Sequence, residues 1–518
     1  MNKFYITTSI VYTNAKPHIG FALELFQTDA IARLHRLLGY DVKFLTGTDE
    51  HGLKIYRQAE EKGQTPQQFV DGIAGQVQQL AADNQVSNDD FIRTTDQKRH
   101  WPAAQKIWQK LAENNLLEKR KYSGLYCVGC ERYIREDELN KQGQCPDHLT
   151  EPEHLESENY FFKLSDFTDS ILVKIKSGEL EIHPEERRNE ILQLLESGLE
   201  DISFSRDVSQ IPWGIPVPDD PNQVMYVWCD ALTNYISALG YAEETEEFLT
   251  FWPADTHMIG KDILRFHAAI WPAMLMAAEL PMPKNILVHG FIQSGGQRMS
   301  KTIGNVIDPF EISIKYGSSA LRLILLKEIP AFKDGDLTNE RIGELYQSEL
   351  ANKLGNLISR VTAMTNKYFP NDLPEVELEK LIEINIPDIK QFEVNQPNYG
   401  RTDLLIEQIW QIIESANQFV EDQKPWELAK QEDKTQLSQV ILNLLETIRL
   451  IALLLEPIDP STSQKILDAL GQEKFDSSQN VQNREKYLQL LEWGRFNNEV
   501  TIQPIQPLFP RIDDVDKN

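Results

Sequence analysis

Two short polar segments, far apart in the chain, carry residue types that bind phosphate. The first contains His18, which follows the apolar stretch 4–10 and precedes an amphipathic helical pattern, so it should stand where a strand gives way to a helix. A helix N-terminus presents backbone N–H groups that lack intrahelical partners, and it attracts anions. Gly20 would allow a close approach of the backbone that a side chain would block. This segment therefore predicts an anion site.

The second segment follows another apolar stretch, 286–292, and reads Arg298-Met299-Ser300-Lys301-Thr302. Its loop begins with two glycines, Gly295 and Gly296. Lys301 offers a compact positive charge on a long stem, which suits a phosphate group. The two segments together predict one phosphate site built from distant parts of the chain.

A cysteine cluster lies between them. Cys127-Val128-Gly129-Cys130 is followed, after fourteen intervening residues, by Cys145-Pro146-Asp147-His148. Three thiolates and one imidazole would fill a tetrahedral zinc shell and leave no open position, which indicates a structural ion. His154 is an alternative fourth ligand whose spacing fits less well, and reduced cysteines or a disulfide are the non-metal alternatives. Cys229 is interpreted as a packing residue.

The elements that must position these residues alternate between strand and helix in the first part of the chain. The pattern predicts a helix at 20–38 and strands at 4–10, 42–45, 225–228, 257–259 and 286–292. Such alternation predicts an α/β fold with a doubly wound, Rossmann-like parallel sheet. Ligands of these sheets bind beyond the carboxyl ends of the strands, and the polar segments fall there.

The chain divides into several expected regions. Residues 1–116 and 225–297 form the two halves of the α/β domain, and residues 117–224 interrupt the alternation as an inserted domain with the zinc knuckle. Residues 298–345 contain the second phosphate segment and a connecting region. From 346 to 518 the pattern is helical, which predicts an all-α domain.

Composition favours a soluble globular protein of 518 residues, with 41% hydrophobic and 25% charged residues. We expect no secretion signal, and we expect the helical stretch 440–455 to be a core helix because it contains Glu446 and Arg449. A cytoplasmic protein is the expectation. The excess of 79 acidic over 52 basic residues argues against general nucleic-acid affinity. The local charge differs from this overall excess of acidic residues. There are five basic and two acidic residues within 298–327, and three basic and no acidic residues within 352–367.

The two phosphate segments resemble the HIGH and KMSKS motifs of class I aminoacyl-tRNA synthetases. The resemblance narrows to the methionyl-tRNA synthetase family and covers nearly the whole chain. The segments that carry it are Ile10-Val11-Tyr12-Thr13-Asn14, Thr46 to Gly52, Tyr226 to Leu232, Ile259-Gly260-Lys261-Asp262 and Arg265-Phe266-His267. The resemblance implies activation of L-methionine by ATP, with Mg²⁺ on the phosphates, and transfer to tRNA(Met). We separately expect a monomer, because no additional dimerisation module is visible in the sequence, and no membrane association.

Residue roles carried over from this resemblance fall into three groups. The catalytic and ATP-binding residues would be His18, Arg298, Lys301, Lys16, Gly20, Glu24, Asp262 and Ile292. The methionine pocket would be Ile10, Tyr12, Asp49, Trp228, Ala231, Leu232, Tyr235 and His267, with Asp49 on the substrate ammonium. The CAU anticodon of initiator and elongator tRNA would be read by Asn356, Arg360, Pro425 and Trp426.

Two residues depart from the family pattern. Phe21 stands where HIGH has its second histidine, and Arg298 stands for the first lysine of KMSKS. Loss of one donor to a developing charge typically costs about 3–4 kcal/mol. One alternative interpretation is another class I synthetase, although 117–224 is short for the editing insertion of the leucyl, isoleucyl and valyl enzymes. Another is a regulatory relative that has lost its chemistry. The retention of His18, Asp49, Asp262 and Lys301 argues against it.

Overall fold

The computed structural model describes residues 2–129, 132–146, 149–299, 305–370, 373, 376–480 and 484–511. Within these ranges, seven strands form one sheet whose pairings are all parallel. From one edge to the other they are Asp90–Arg93, Asp41–Asp49, Lys3–Thr7 with its continuation Val11–Tyr12, Thr256–Gly260, Asn285–His289 and Glu181–His183. The expected doubly wound α/β sheet is confirmed.

Both faces of this sheet are covered. Along Lys3–Thr7 the side chains of Phe4 and Ile6 enter one hydrophobic cluster, and that of Tyr5 enters the other. Alternate residues of a strand point to opposite faces, so a strand buried on both faces reads as a continuous apolar run. The chain order reverses beside Lys3–Thr7, because the next strand pairs on one side and Thr256–Gly260 pairs on the other. The loops at this point form the expected binding crevice.

Two predicted strands of the main sheet need correction. The strand at 225–228 is wrong: Asp220–Met225 belongs to a small antiparallel sheet, and Val227–Leu232 is a helix. A short apolar run cannot by itself distinguish a buried strand from a buried helix. The strand at 286–292 ends at His289, and Ile292–Ser294 begins another small sheet.

Residues 117–224 contain antiparallel strands, as an insertion would. The strands Arg132–Ile134, Leu117–Cys127, Glu153–Phe162 and Ile202–Ser203 pair in that order. Ser205–Asp207, Asp220–Met225 and Pro216–Val217 form the small sheet named above, and Ile292–Ser294 pairs with Gln297–Arg298 and Gly335–Asp336. Glu181–His183, although inside this range, is the edge strand of the main sheet. The domain boundaries themselves stay predictions.

Helices cover the sheet and form the C-terminal part. The α-helices before residue 330 are Ile19–Leu37, Leu53–Glu61, Pro66–Asp83, His100–Glu113, Thr168–Ser177, Glu185–Glu196, Val227–Leu232, Asn234–Ser237, Glu246–Phe251, Trp271–Ala277, Pro309–Tyr316 and Ser318–Glu328. Those after it are Asn339–Leu345, Asn356–Tyr368, Thr402–Gln423, Pro425–Leu428, Thr435–Leu455, Pro460–Leu470 and Arg484–Leu490, with π-helical turns at Phe266–Ile270 and Tyr346–Gly355. Short 3₁₀ turns lie at Glu136–Glu138, Leu164–Phe167, Lys261–Ile263 and Ile389–Phe392. The expected helical C-terminal part is confirmed.

The longest apolar helix of the described residues is a core helix. Thr435–Leu455 is long and apolar enough to cross a membrane, yet 94% of its most apolar window is buried inside the protein. Its buried Arg449 forms an ion pair with Glu446, three residues earlier. This burial agrees with the interpretation from the sequence.

Candidate active site

His18 caps the first helix, Ile19–Leu37, at the carboxyl edge of the sheet. Its Nδ1 accepts hydrogen bonds from the backbone N–H groups of Gly20 and Phe21, at 3.1 and 3.3 Å. Nδ1 is therefore an acceptor, and Nε2 carries the proton of the neutral ring. A Cβ at Gly20 would lie 3.0 Å from the imidazole, so the glycine makes room for His18. The neighbouring Phe21 packs in the core.

The surroundings keep the His18 ring neutral. Its side chain is solvent-accessible, but the protein around the crevice removes enough water to lower the pKa of His18. The charges of Asp262 and Glu24 act in the opposite direction and are outweighed. A neutral imidazole that donates from Nε2 can bind a phosphate oxygen without first losing a proton.

Glu24 and His289 form a buried pair in the same crevice. Glu24 accepts from the backbone N–H and the hydroxyl of Ser9 at 2.6 and 2.7 Å, and its second oxygen lies 2.9 Å from Nε2 of His289. Burial disfavours the charged imidazole, yet the hydrogen bond and charge of Glu24 raise the pKa of His289. His289 and Ser9 were not predicted from the sequence. The available signal was a histidine at the end of a buried apolar strand.

The other ATP-site candidates differ in how far they are exposed. Asp262 lies in the exposed turn after Thr256–Gly260, and its charge acts on His18. Ile292 is buried and Lys16 is exposed. Arg298 is exposed, with its guanidinium 5.7 Å from the ring centre of Phe291. Lys301 lies outside the described residues.

Several of the methionine-pocket candidates contact one another. The hydroxyl of Tyr235 lies 2.7 Å from Nε2 of His267, whose Nδ1 lies 2.9 Å from the carbonyl oxygen of Ile263. A carbonyl only accepts, so Nδ1 carries the proton and Nε2 accepts from the Tyr235 hydroxyl. Burial lowers the pKa of His267 to about 4, which keeps this ring neutral at pH 7.

The aromatic residues among these candidates contact one another and Phe266. Trp228 stacks on Phe266 at 3.6 Å between ring centres and meets His267 edge-on at 6.4 Å. Phe266 was part of a motif in the sequence but was not expected to support the pocket. The partly buried Ile10, Tyr12 and Trp228 pack against the cluster that contains Leu232 and Tyr235, and Ala231 is buried on the same helix as Trp228.

Asp49 ends the second strand, Asp41–Asp49, beside Tyr12. It is 6% exposed. The next residue, Glu50, accepts two hydrogen bonds from Arg93, at 2.6 and 3.0 Å, and one from Thr48 at 2.6 Å. These bonds fix the end of the strand that carries Asp49. The Glu50 clamp was not expected from the sequence.

The described part of the cysteine cluster is compact. Cys127 and Cys145 are fully buried and share one small hydrophobic cluster with Ile134 and Leu139. Cys130 and His148 lie outside the described residues, and the described residues contain no group of three or more candidate metal ligands. The alternative ligand His154 is exposed, with Nε2 3.3 Å from the Ser123 hydroxyl. Two buried thiols side by side fit a thiolate-rich structural site.

The candidate anticodon residues meet in the helical part. The guanidinium of Arg360 lies 4.9 Å from the ring centre of Trp426 and 2.5 Å from Glu421. Asn356 is exposed one turn earlier on the helix of Arg360, and Pro425 is buried at the start of Pro425–Leu428. The structure thus joins residues from two distant segments in one surface.

Comparisons with known proteins cover both parts of the chain. The family described as "tRNA synthetases class I (M)" matches residues 4–153 and 148–362, and the "Anticodon binding domain of methionyl tRNA ligase" matches 389–518. The Methionine–tRNA ligase of Thermotoga maritima is 41% identical, with 99% of this chain and 80% of that protein covered. The Methionine–tRNA ligase of Brucella suis is 42% identical, and the match covers 90% of this chain and 92% of that protein. A structure of Mycobacterium tuberculosis methionyl-tRNA synthetase in complex with methionyl-adenylate superposes with a TM-score of 0.89 at 36% sequence identity. The superposition covers 99% of this chain and 100% of that chain.

Proposed function

Since the chain belongs to the class I methionyl-tRNA synthetases, it activates L-methionine with ATP and charges tRNA, and we propose the residues that do so. The amino acid attacks the α-phosphate of ATP as a carboxylate, so no general base is needed. Catalysis then depends on positioning and on donors that stabilise the charge of an in-line transition state.

His18 is the proposed donor to the phosphate oxygens. Its neutral ring, fixed by the bonds at Nδ1, points to Nε2–H as the donating group. Arg298 and Lys301 would stabilise the departing diphosphate, and Mg²⁺, when bound, would neutralise charge on the phosphates. Lys16, Gly20, Glu24, Asp262 and Ile292 would complete the ATP site, with Glu24 held by Ser9 and His289.

Methionine selection is assigned to the aromatic pocket, and the single observation that carries it is the hydrogen-bonded pair Tyr235–His267 beside Trp228. Thioether sulfur favours aromatic edges, which these rings offer. Asp49 would bind the ammonium group. A hydrophobic pocket discriminates one methylene by only about 1–3 kcal/mol, so slow activation of norleucine or homocysteine is expected.

The same proposal covers anticodon binding, the zinc ligands, the cellular location and the oligomeric state. Arg360 and Trp426 would stack on unpaired bases of the CAU anticodon, with Asn356 and Pro425 beside them. Cys127, Cys130, Cys145 and His148 would hold one structural Zn²⁺. We place the enzyme in the cytoplasm, where tRNA is charged, as a monomer.

The test is ATP–diphosphate exchange with a panel of the twenty amino acids. We expect exchange with methionine, trace exchange with norleucine and a rise in the methionine KM of Asp49→Asn. Asp41→Asn, at the opposite end of the same strand, is the matched control and should leave that KM unchanged. Equal KM values in the two variants would overturn the role of Asp49.

The amino-acid panel has its own contrary outcomes. Exchange driven by another amino acid would overturn the assignment of the methionine pocket, and no exchange from the folded protein would favour a regulatory relative.

A further inference from the structure

Asp230 is a buried carboxylate that has no role in the proposed reaction and shares a helix with candidate residues of the methionine pocket. It sits on the helix Val227–Leu232, two residues after Trp228 and one before Ala231. One carboxylate oxygen lies 2.6 Å from Nδ1 of His51, and the other lies 2.7 Å from Nε2 of His100. Asp230 and His100 are fully buried, and His51 is 2% exposed.

The two histidines come from different elements. His51 belongs to the loop after Asp41–Asp49, two residues beyond Asp49, and His100 begins the helix His100–Glu113. The side chain of Asp230 therefore forms hydrogen bonds with residues of both other elements. It joins the ammonium-binding loop to the helix that carries the side-chain pocket.

His100 makes a hydrogen bond through each of its ring nitrogens. Its Nδ1 lies 2.8 Å from the hydroxyl of Ser237, which is also 3.2 Å from the carbonyl oxygen of Asn234. Its Nε2 donates to Asp230, because an ionised carboxylate only accepts. Burial alone would raise the pKa of Asp230, but the two histidines hold it below its usual range.

The same loop is fixed on its other side. Gly52 donates its N–H to the carbonyl oxygen of Trp213 at 3.1 Å, and the indole N–H of Trp213 donates to the carbonyl oxygen of Glu50 at 2.5 Å. The loop is therefore clamped by residues on both flanks, and the side facing the pocket helix depends on Asp230.

We propose that Asp230 is a positioning residue for methionine recognition, which fixes the loop of Asp49 relative to the helix of Trp228 and Ala231 through His51 and His100. The inference rests on the proposed role of Asp49 as the ammonium-binding group. A carboxylate placed 1 Å away from its position loses much of its binding energy, because a productive geometry must be held within a fraction of an ångström.

The experiment compares KM values for the two substrates in ATP–diphosphate exchange. Asp230→Asn removes the charge that both histidines contact, and we expect the methionine KM to rise about tenfold or more while the ATP KM changes less than about twofold. Asp255→Asn is the matched control: this buried aspartate pairs with Lys284 near the start of the strand Thr256–Gly260. Asp255→Asn should lower the melting temperature, and it should not raise the methionine KM more than the ATP KM.

A second variant keeps the test decisive if Asp230→Asn folds poorly. His100→Gln removes one of the two hydrogen-bond partners of Asp230 from a different element, and on its own it should raise the methionine KM more than the ATP KM. Where Asp230→Asn folds, the double variant should raise the methionine KM no further than either single variant, because the residues act as one network. A parallel rise of both KM values, or additive effects, would overturn the inference. Failure of the premise is distinct, since Asp49→Asn would then leave the methionine KM unchanged.

Discussion

At the residue scale, the chemistry of the site depends on which ring nitrogen carries a proton. Nδ1 of His18 accepts two backbone hydrogen bonds, and Nε2 of His267 accepts from Tyr235. Both rings lose solvent, which lowers their pKa values and keeps them neutral. Each imidazole therefore has one defined donor, and the groups hydrogen-bonded to the ring decide which nitrogen it is.

The Tyr235–His267 bond gives a direct test at this scale. Tyr235→Phe leaves the buried Nε2 of His267 without its donor, which should cost about 1–3 kcal/mol and raise the methionine KM. Steady-state exchange kinetics and thermal unfolding measure the two effects.

The control is Tyr487→Phe, which removes a buried hydroxyl that donates to the carbonyl oxygen of Leu453 in the helical part. It should lower stability and leave the methionine KM unchanged. If the two variants change this KM equally, the Tyr235 hydroxyl has no part in the pocket.

At the scale of elements, function depends on turns and helices that bring distant side chains together. Pro425–Leu428 begins with a proline, which cannot donate but is not required to at a helix start. Lys424, just before it, has a left-handed backbone with φ of 45° and ends the helix Thr402–Gln423. This turn directs Trp426 toward Arg360.

Trp426→Ala should weaken tRNA charging while methionine activation stays nearly unchanged. Loss of one base stack costs about 1–3 kcal/mol, so kcat/KM for tRNA should fall about 5- to 150-fold. Trp493→Ala is the matched control, because this tryptophan also has a cation, Lys380, over its ring at 5.4 Å. An equal loss in exchange and aminoacylation would contradict the anticodon role.

The inserted segment offers a second test at this scale. Cys127→Ser should abolish most of the bound zinc, measured by elemental analysis of the purified protein, and should make the insertion sensitive to proteolysis. Cys229→Ser serves as the control, because burial holds the pKa of that thiol well above its usual value and keeps it protonated. Equal zinc content in both variants would argue against the thiolate site.

At the scale of the whole molecule, a buried charge cluster joins the first helix to the C-terminal part. Asp29 accepts from Arg33 at 2.8 Å, and it also pairs with Arg322. Arg33 donates to the hydroxyl of Ser477, and Arg322 donates to the carbonyl oxygen of Ile458. The helix that presents His18 at its N-terminus is thus anchored to the helical part near its other end.

Asp29→Asn should destabilise the protein by about 3–5 kcal/mol, because it leaves two buried guanidinium groups without their counter-charge. Burial raises the pKa of Asp29, but Arg33, Arg322 and a bond from Ser87 lower it far more, and the net pKa lies well below its usual range. A depressed carboxyl pKa stabilises the fold above the unfolded-state pKa of about 3.9, and this contribution is lost as pH falls further.

Urea unfolding across pH measures this contribution. The difference between the parent and Asp29→Asn should be constant near neutral pH and shrink below about pH 4. Asp468→Asn, which breaks the exposed pair with Lys474, should change stability little. A pH-independent difference would show that the loss comes from packing and not from charge.

Much of this organisation was predictable from the sequence. The parallel sheet was visible because strands buried on both faces read as apolar runs, and the helical part was visible from its period of 3.6 residues. The strand at 225–228 was not separable from a helix, because four apolar or aromatic residues fit either. The hydrogen bonds of His289, His51 and Asp230 were not predictable, because the partners lie more than 100 residues away in the chain.

The sequence by itself determined which chemistry is present, because the types and spacing of residues around His18, Lys301 and Trp228 are local properties. Only the tertiary structure decided how those groups are used. The proton on His18, the direction of the Tyr235 hydroxyl and the pairing of Asp230 with two histidines depend on atoms brought together from separate elements. Desolvation and hydrogen-bond partners depend on packing, and packing depends on contacts between segments that are distant in the chain.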